Sequence, residues 1–357
     1  PSDGPRVAAV SAFGFGGNNA HLVVSEDSAE LDERVGTREA VPAPPPAFAV
    51  VGLGCAVASA PDRRRFVEAL FSNESLLDAS GEGRLGPVEL DLEGLRFPPK
   101  DLVQTLPQQL ATLRAATEAL AGSGPLPRER TGVFVGMEPD PEVARWGTRW
   151  RLARTARETG ASDEWLRSAR DAVVPVLEAA AVVGTMPNIP ANRLSSQLDL
   201  GGRAFTVQAG EASGTTALSI AMRALKCGEL DAALVGAVDL SCERVHSSAV
   251  EALADGRPAP PGDAAVVLVV KRLEDAERDG DRVWALIEEG GDEEAQEDGE
   301  REGGAPLHLS GESPASDTRL AAPMLWIMSP ISPSLCAGFV GTITVRFRIS
   351  RERAHMS

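Results

Sequence analysis

Residues 205–225, FTVQAGEASGTTALSIAMRAL, run from an apolar strand through a turn of small residues into an apolar helix. A strand that stops at such a turn projects the turn residue toward a helix start. Unpaired backbone N–H groups and the positive end of the helix dipole there lower a thiol's pKa and stabilise an oxyanion. That layout presents a nucleophile, yet the turn residue is Glu211. An ionised carboxylate only accepts hydrogen bonds and has no proton to give. On these residues alone the expectation is an acid at the N-cap or N1 position of a helix begun at Glu211, held ionised by the helix donors.

The other residue types that do chemistry offer less. The four histidines, His21, His246, His308 and His355, are scattered; His246, in CERVHSSAV, is expected on a solvent-facing surface turn. Cys55, Cys227, Cys242 and Cys336 form no CxxC pair and no dense, even spacing, which argues against a disulfide scaffold and against a zinc site. No metal and no cofactor-binding residue is expected. The stretch GLGC at 52–55 invites a dinucleotide reading, but the third small residue of GxGxxG/A falls on Val57, where a side chain blocks close helix packing. Cys55 in that strand reads as a buried structural thiol. Val143, Trp146, Trp150 and Ala153 recur at steps of three and four, a helical stripe read as core packing rather than a stacking platform.

Strands and helices alternate around these positions. Apolar strands are expected at 47–58, 130–138, 230–241, 263–273 and 281–291, with helices near 61–72, from 141 to 184, over ANRLSSQL, and after Glu211 up to a glycine terminator at Gly228. Near-continuous apolar strands alternating with helices predict an α/β fold with a parallel or mixed sheet covered on both faces. Residues 7–26 read as strand, glycine loop, strand, and SAELDERVGTREAVPAPPPA as a linker extended by its prolines. Beyond 291 the acidic DEEAQEDGEREGG is a solvated, disordered type of sequence, and residues 305–357 fit no pattern. The expected division is thus 1–27, a linker over 28–46, a unit over 47–291, and an acidic run with an unassigned tail over 292–357.

A net charge of −17 with only 4% aromatic residues disfavours nucleic acid as a partner, since that affinity comes from Lys and Arg displacing counterions. The most apolar stretch, 322–345, is interrupted by three prolines, so no membrane span is expected. A cytoplasmic location is expected, the start lacking the regions of a signal peptide.

Several of these stretches, taken in order, resemble one family. LGGRAFTVQAGEASGTTAL is similar to the nucleophile motif of the β-ketoacyl synthases, with Glu211 in the place of the family's active cysteine. FAVVGLGCAVA resembles the family's opening strand, TGVFVGME an internal strand, and DAAVVLVVKRLEDAERDGDRVWALIEEGG the segment that closes its first half, so that 47–291 is covered. VSAFGFGGNNAHLVVSE is similar to the last segment of a ketosynthase, in which the residue at Phe15 gates the pocket and lends its N–H to the oxyanion hole.

The resemblance implies a thiolase-like layered αβαβα fold, only one half of it encoded after the linker. It also implies the end of one ketosynthase-like domain followed by the front of a cysteine-less one, an order that resembles the ketosynthase and chain-length-factor junction of polyunsaturated fatty acid and polyketide synthases. GTMPNIPANRLSSQLDL adds to that comparison. A catalytic ketosynthase domain would then be the pairing partner. Acyl groups would arrive on the phosphopantetheine of an acyl carrier protein. The family's two catalytic histidine motifs are absent, so the site residues carried over are Glu211 and Phe15 alone, and whether any catalysis survives is open. Two alternatives stand beside this reading: a decarboxylating homologue acting on malonyl-acyl carrier protein, and a truncated or frame-shifted product without activity. A half-domain would leave sheet and helix faces uncovered at about 25 cal/mol per Å² of apolar surface, so a fragment of a longer synthase is expected.

Overall fold

The computed structural model describes residues 6–13, 19–26, 47–140, 143–253, 260–289 and 343–346. Strands β1 (Val7–Phe13) and β2 (Asn19–Ser25) pair antiparallel, as the strand, loop, strand reading expects. Arg6 closes the open end of this hairpin on the Glu26 carboxylate. Both faces of β1 are exposed, Phe13 to 81%.

The other strands are β3 (Phe48–Val57), β4 (Thr131–Gly136), β5 (Ala204–Val207), β6 (Ala232–Leu240), β7 (Asp263–Arg272), β8 (Ala285–Glu289) and β9 (Ile343–Arg346). They form one seven-stranded sheet in the order β5-β4-β6-β7-β3-β8-β9. β4 runs parallel to β5 and β6, and every other pairing is antiparallel, so the sheet is mixed. The tail that fitted no pattern thus contributes one strand, β9, against β8. The helices are α1 (Arg63–Ser72), α2 (Pro99–Val103), α3 (Pro107–Ala121), α4 (Ala144–Thr159), α5 (Asp163–Val173), α6 (Ala179–Thr185), α7 (Ile189–Leu198), α8 (Ser213–Lys226), α9 (Arg244–Leu253) and α10 (Leu273–Asp279).

Near-continuous apolar strands need cover on both faces, and two helices supply most of it. α3 lies along β3, β7 and β6, over Val133, Val135, Leu234, Val267 and Val269. α8 covers the opposite face, over Phe48, Val50, Phe134, Val235 and Val270. The alternation within β3 is interrupted. The register shifts between Val50 and Gly52, leaving Val51 as an extra residue. Before it, Ala49 and Val51 face α3; after it, Gly52 and Gly54 do. Leu53 and Cys55 turn instead to Phe66 of α1. A bulge thereby aims two glycines at a helix. A Cβ on Gly54 would stand 2.1 Å from the Ala115 carbonyl oxygen, and one on Gly52 2.4 Å from that of Ala119. These glycines let strand and helix backbones touch, so GLGC is a packing device and no phosphate loop.

The tryptophan stripe departs from expectation. Trp150 is 65% exposed, Val143 39%, and Ala156 is the one buried residue of α4. The physical reason is placement: α4 packs on α5, itself without a buried residue, rather than on the sheet. The helical period is real, but the face it defines is only partly covered: Trp146 and Ala153 are half-buried while Val143 and Trp150 are exposed. Among the described residues no helix is long and apolar enough to cross a membrane.

Candidate functional site

The turn between β5 and α8 is set by contact with β4. β4 and β5 run parallel up to the pair Gly136 and Val207. A Cβ on Gly136 would lie 2.4 Å from the Ser213 backbone carbon and oxygen, so β4 ends pressed against the first turn of α8. Two residues on, the Glu138 carboxylate reaches over the turn. It accepts from the Gly210 N–H at 2.7 Å and from the Gln208 side-chain amide at 2.8 Å, and lies 3.2 Å from the Ser213 hydroxyl. Ser213 Oγ accepts from the Ala209 N–H at 2.9 Å and donates to the Gly210 carbonyl at 2.6 Å. Gly210 sits at φ +58, a left-handed conformation that glycine adopts without steric cost.

Glu211 does not begin the helix. α8 starts at Ser213 with Ala212 as a cap residue that makes no side-chain hydrogen bond. Glu211 is exposed, and its carboxylate has no hydrogen-bond partner among the described residues. Burial of part of the side chain pushes its carboxyl above the ordinary value. The expectation of an N-cap or N1 acid held ionised by helix donors is therefore corrected: the helix begins two residues later, the Gly210 and Ala209 N–H groups go to Glu138 and Ser213, and no hydrogen bond to the Glu211 carboxylate offsets its partial burial. At the far end, Gly228 at φ +68 terminates α8 as expected, its N–H donating to Leu225 O at 3.0 Å while the Glu229 N–H donates to Ala224 O at 2.9 Å. That paired pattern stops a helix firmly.

Phe15, the second carried-over site residue, lies outside the described residues, as do Cys336, His308 and His355. Cys55 and Cys242 are buried thiols, each pushed up to about 12, chiefly by burial; Cys227 is exposed. Glu118 fixes the surroundings of Cys55, accepting from its N–H at 3.0 Å and from the Arg63 N–H at 3.1 Å. His21 lies in the hairpin, its Nδ1 2.7 Å from the Ser11 hydroxyl. His246 is not on a solvent-facing turn: it sits in the first turn of α9, its side chain 21% exposed and Nδ1 3.9 Å from Asp239 Oδ1. Its position follows from Glu243, whose carboxylate accepts from the Val245 and His246 N–H groups and draws the chain into a helix. Burial pushes Asp239 up, opposed by His246 and reinforced by Asp263 and Asp140. Among the described residues no group of three or more His, Cys, Asp or Glu is placed to hold a metal ion.

Sequence reasoning singled out Glu211 and missed Glu138. A signal existed: Glu138 stands two residues beyond a fully buried strand, at the carboxyl end of the parallel part of the sheet, where open α/β sheets collect functional groups.

The sequence model described as "Beta-ketoacyl synthase, N-terminal domain" matches residues 47–276. Among similar proteins, a polyunsaturated fatty acid synthase component of Thraustochytrium sp. is 26% identical over 336 residues, which is 80% of this chain and 16% of that protein. Pikromycin polyketide synthase component PikAIII of Streptomyces venezuelae is 31% identical over 263 residues, 67% of this chain and 15% of that protein. The chain therefore spans under a fifth of the length of these relatives. In fold it is similar to the PfaC keto synthase-chain length factor, with a TM-score of 0.65 at 23% identity over 79% of this chain and 34% of that one. It is also similar to a ketosynthase from the bacillaene synthase of Bacillus subtilis 168, with a TM-score of 0.51 at 22% identity over 68% of this chain and 42% of that one. The strand, turn and helix around Glu211, set in a mixed sheet with helices on both faces, have the thiolase-like architecture of these ketosynthases, and the chain belongs to the family of the β-ketoacyl synthase N-terminal domain.

Proposed function

We propose that this chain is a segment of a fatty acid or polyketide synthase in which a cysteine-less, chain-length-factor-like domain pairs with a catalytic ketosynthase and bounds the space that receives the growing acyl chain. One observation carries the reading: the residue at the β5–α8 turn is an exposed carboxylate, Glu211. A carboxylate is a poor nucleophile toward a thioester, and the mixed anhydride it would form transfers its acyl group to water, so no stable acyl-enzyme accumulates there. The acyl groups would come on the phosphopantetheine arm of an acyl carrier protein, and the carbon–carbon bond would form on the partner's cysteine. The test is acyl loading. The purified chain is incubated with an acyl thioester, alone and with a ketosynthase, and peptide 205–225 is weighed by mass spectrometry. No adduct on that peptide, with co-purification of the two proteins, is expected; a substrate-derived adduct on Glu211 overturns the reading.

A second reading rests on the raised carboxyl of Glu211. The protonated fraction of this carboxyl donates a hydrogen bond to a malonyl thioester carbonyl and assists decarboxylation, an effect that grows as pH falls. It predicts carbon dioxide release from malonyl-acyl carrier protein that Glu211→Gln diminishes and Glu211→Ala abolishes.

A further inference from the structure

Glu211 is the visible departure at the turn, but a second carboxylate is built more deeply into it. Glu138 belongs to a different element, and β4 delivers it through the close approach of Gly136 to Ser213. Its carboxylate ties down residues on both sides of Glu211: Gln208 and Gly210 before it, Ser213 after it. The Gly210 N–H, 2.7 Å from Glu138 Oε1, is thereby spent, and the Ala209 N–H is spent on Ser213 Oγ at 2.9 Å.

A thiolate or a tetrahedral oxyanion at position 211 draws its stability from backbone donors that are free to turn to it, in a site without like charge. Here the donor next to position 211 already answers to an anion, and that anion would repel a second one. We infer that Glu138 is a positioning residue that closes this turn to thioester chemistry independently of Glu211, so that restoring a cysteine at 211 does not restore a reactive one. The inference rests on the reading of the turn as a displaced nucleophile site. It assigns Glu138 a role of its own: holding the main chain of the turn in its shape without a nucleophile, at the cost of any anion there.

The test uses the full chain as Glu211→Cys, Glu211→Cys/Glu138→Gln and Glu211→Cys/Glu138→Ala. Each is alkylated with iodoacetamide between about pH 6 and about pH 10, and the modified peptides are quantified by mass spectrometry. Exposed Cys227 serves as the reference thiol in the same molecule. Glutamine keeps an acceptor for the Gly210 N–H and removes the charge; alanine removes both. Relative to Cys227, the introduced thiol is expected to react about tenfold faster with glutamine in place of Glu138 than with Glu138 present, at the acid end of the range. The gain should vanish at the alkaline end, where the thiol is ionised in every variant. A Glu138 that merely braces the fold would change the rate by the same factor at every pH. Superimposable profiles, or a pH-independent factor in both double variants, overturn the inference and leave the non-catalytic reading intact. An adduct on the wild-type peptide 205–225 overturns that reading without touching the comparison of thiols. Should the glutamine variant lose its circular dichroism signal, the alanine variant carries the same comparison.

Discussion

Lys271 near the end of β7 is 1% exposed, and its ammonium donates to Asp281 Oδ2 at 2.5 Å and to Asp279 Oδ2 at 3.0 Å. Asp281 is buried with it, its side chain 2% exposed, while Asp279 is 37% exposed. Burial by itself disfavours the ammonium, and the two carboxylates more than reverse that, holding Lys271 above its ordinary 10.5. The replacement Lys271→Met keeps the length of the side chain and removes the charge, stranding Asp281 in the interior without its cation. Breaking one side of a buried pair costs about 3–5 kcal/mol, whereas exchanging both sides for apolar groups is close to neutral. In urea unfolding followed by circular dichroism, Lys271→Met is therefore expected to lose about 3–5 kcal/mol, and Lys271→Met/Asp281→Leu to recover most of it. The pH dependence has a defined sign. The folded pKa of Lys271 is raised, so its contribution is complete below the unfolded value and is lost as pH rises through the folded one, above 10.5. Asp279 is lowered from 3.8, chiefly by its hydrogen bond from Lys271, so its contribution is complete above 3.8 and lost as pH falls through the folded value. The difference between wild type and variant should be widest on the plateau between these limits and shrink at both ends. A single variant that loses under about 1 kcal/mol, or a double variant no better than the single, would refute the claim that burial of an uncompensated charge is what matters.

Other perturbations probe the elements that place the turn. Gly54→Ala drives a Cβ to 2.1 Å from the Ala115 carbonyl oxygen; since the obstacle is helix backbone, a loss of about 1–3 kcal/mol is expected in the same assay. Glu118→Ala leaves the Cys55 and Arg63 N–H groups without their acceptor and should cost about 1–3 kcal/mol, with hydrogen exchange accelerating at Cys55. Among Cys55, Cys227 and Cys242, rapid modification by a disulfide reagent near neutral pH is expected at Cys227 alone, because burial holds the other two thiols at about 12; modification of Cys55 in the folded chain would contradict that. Glu243→Ala should fray α9, since that carboxylate accepts from the Val245 and His246 N–H groups, and proteolysis at 244–253 would report it.

How much of this was legible depended on whether the determinant was local. Strands such as β6 and β7 are buried on both faces, so their apolar runs read directly, and the Gly228 terminator of α8 declares itself through φ +68 at the residue where the helix stops. The turn around Glu211 was located for the same reason, by small residues between a strand and an apolar helix. What could not be read was the source of the turn's hydrogen-bond partners. Glu138 is 72 residues away from Gly210 in the chain, and only the parallel pairing of β4 with β5 brings it there. Without it, the helix donors had to be assigned to the nearest acid, Glu211, which the structure leaves without them. The tryptophans of α4 failed for a related reason. Periodicity defines a face but not what covers it, and Trp150 at 65% exposure occupies a face that packing against α5 leaves open. His246 was misread in the opposite sense, because the cap that places it, Glu243, binds backbone N–H groups and leaves no mark in the hydrophobic pattern. At the turn the hydrogen-bond partners come from another element, and that is why Glu138 rather than Glu211 is the residue whose replacement tells most about it.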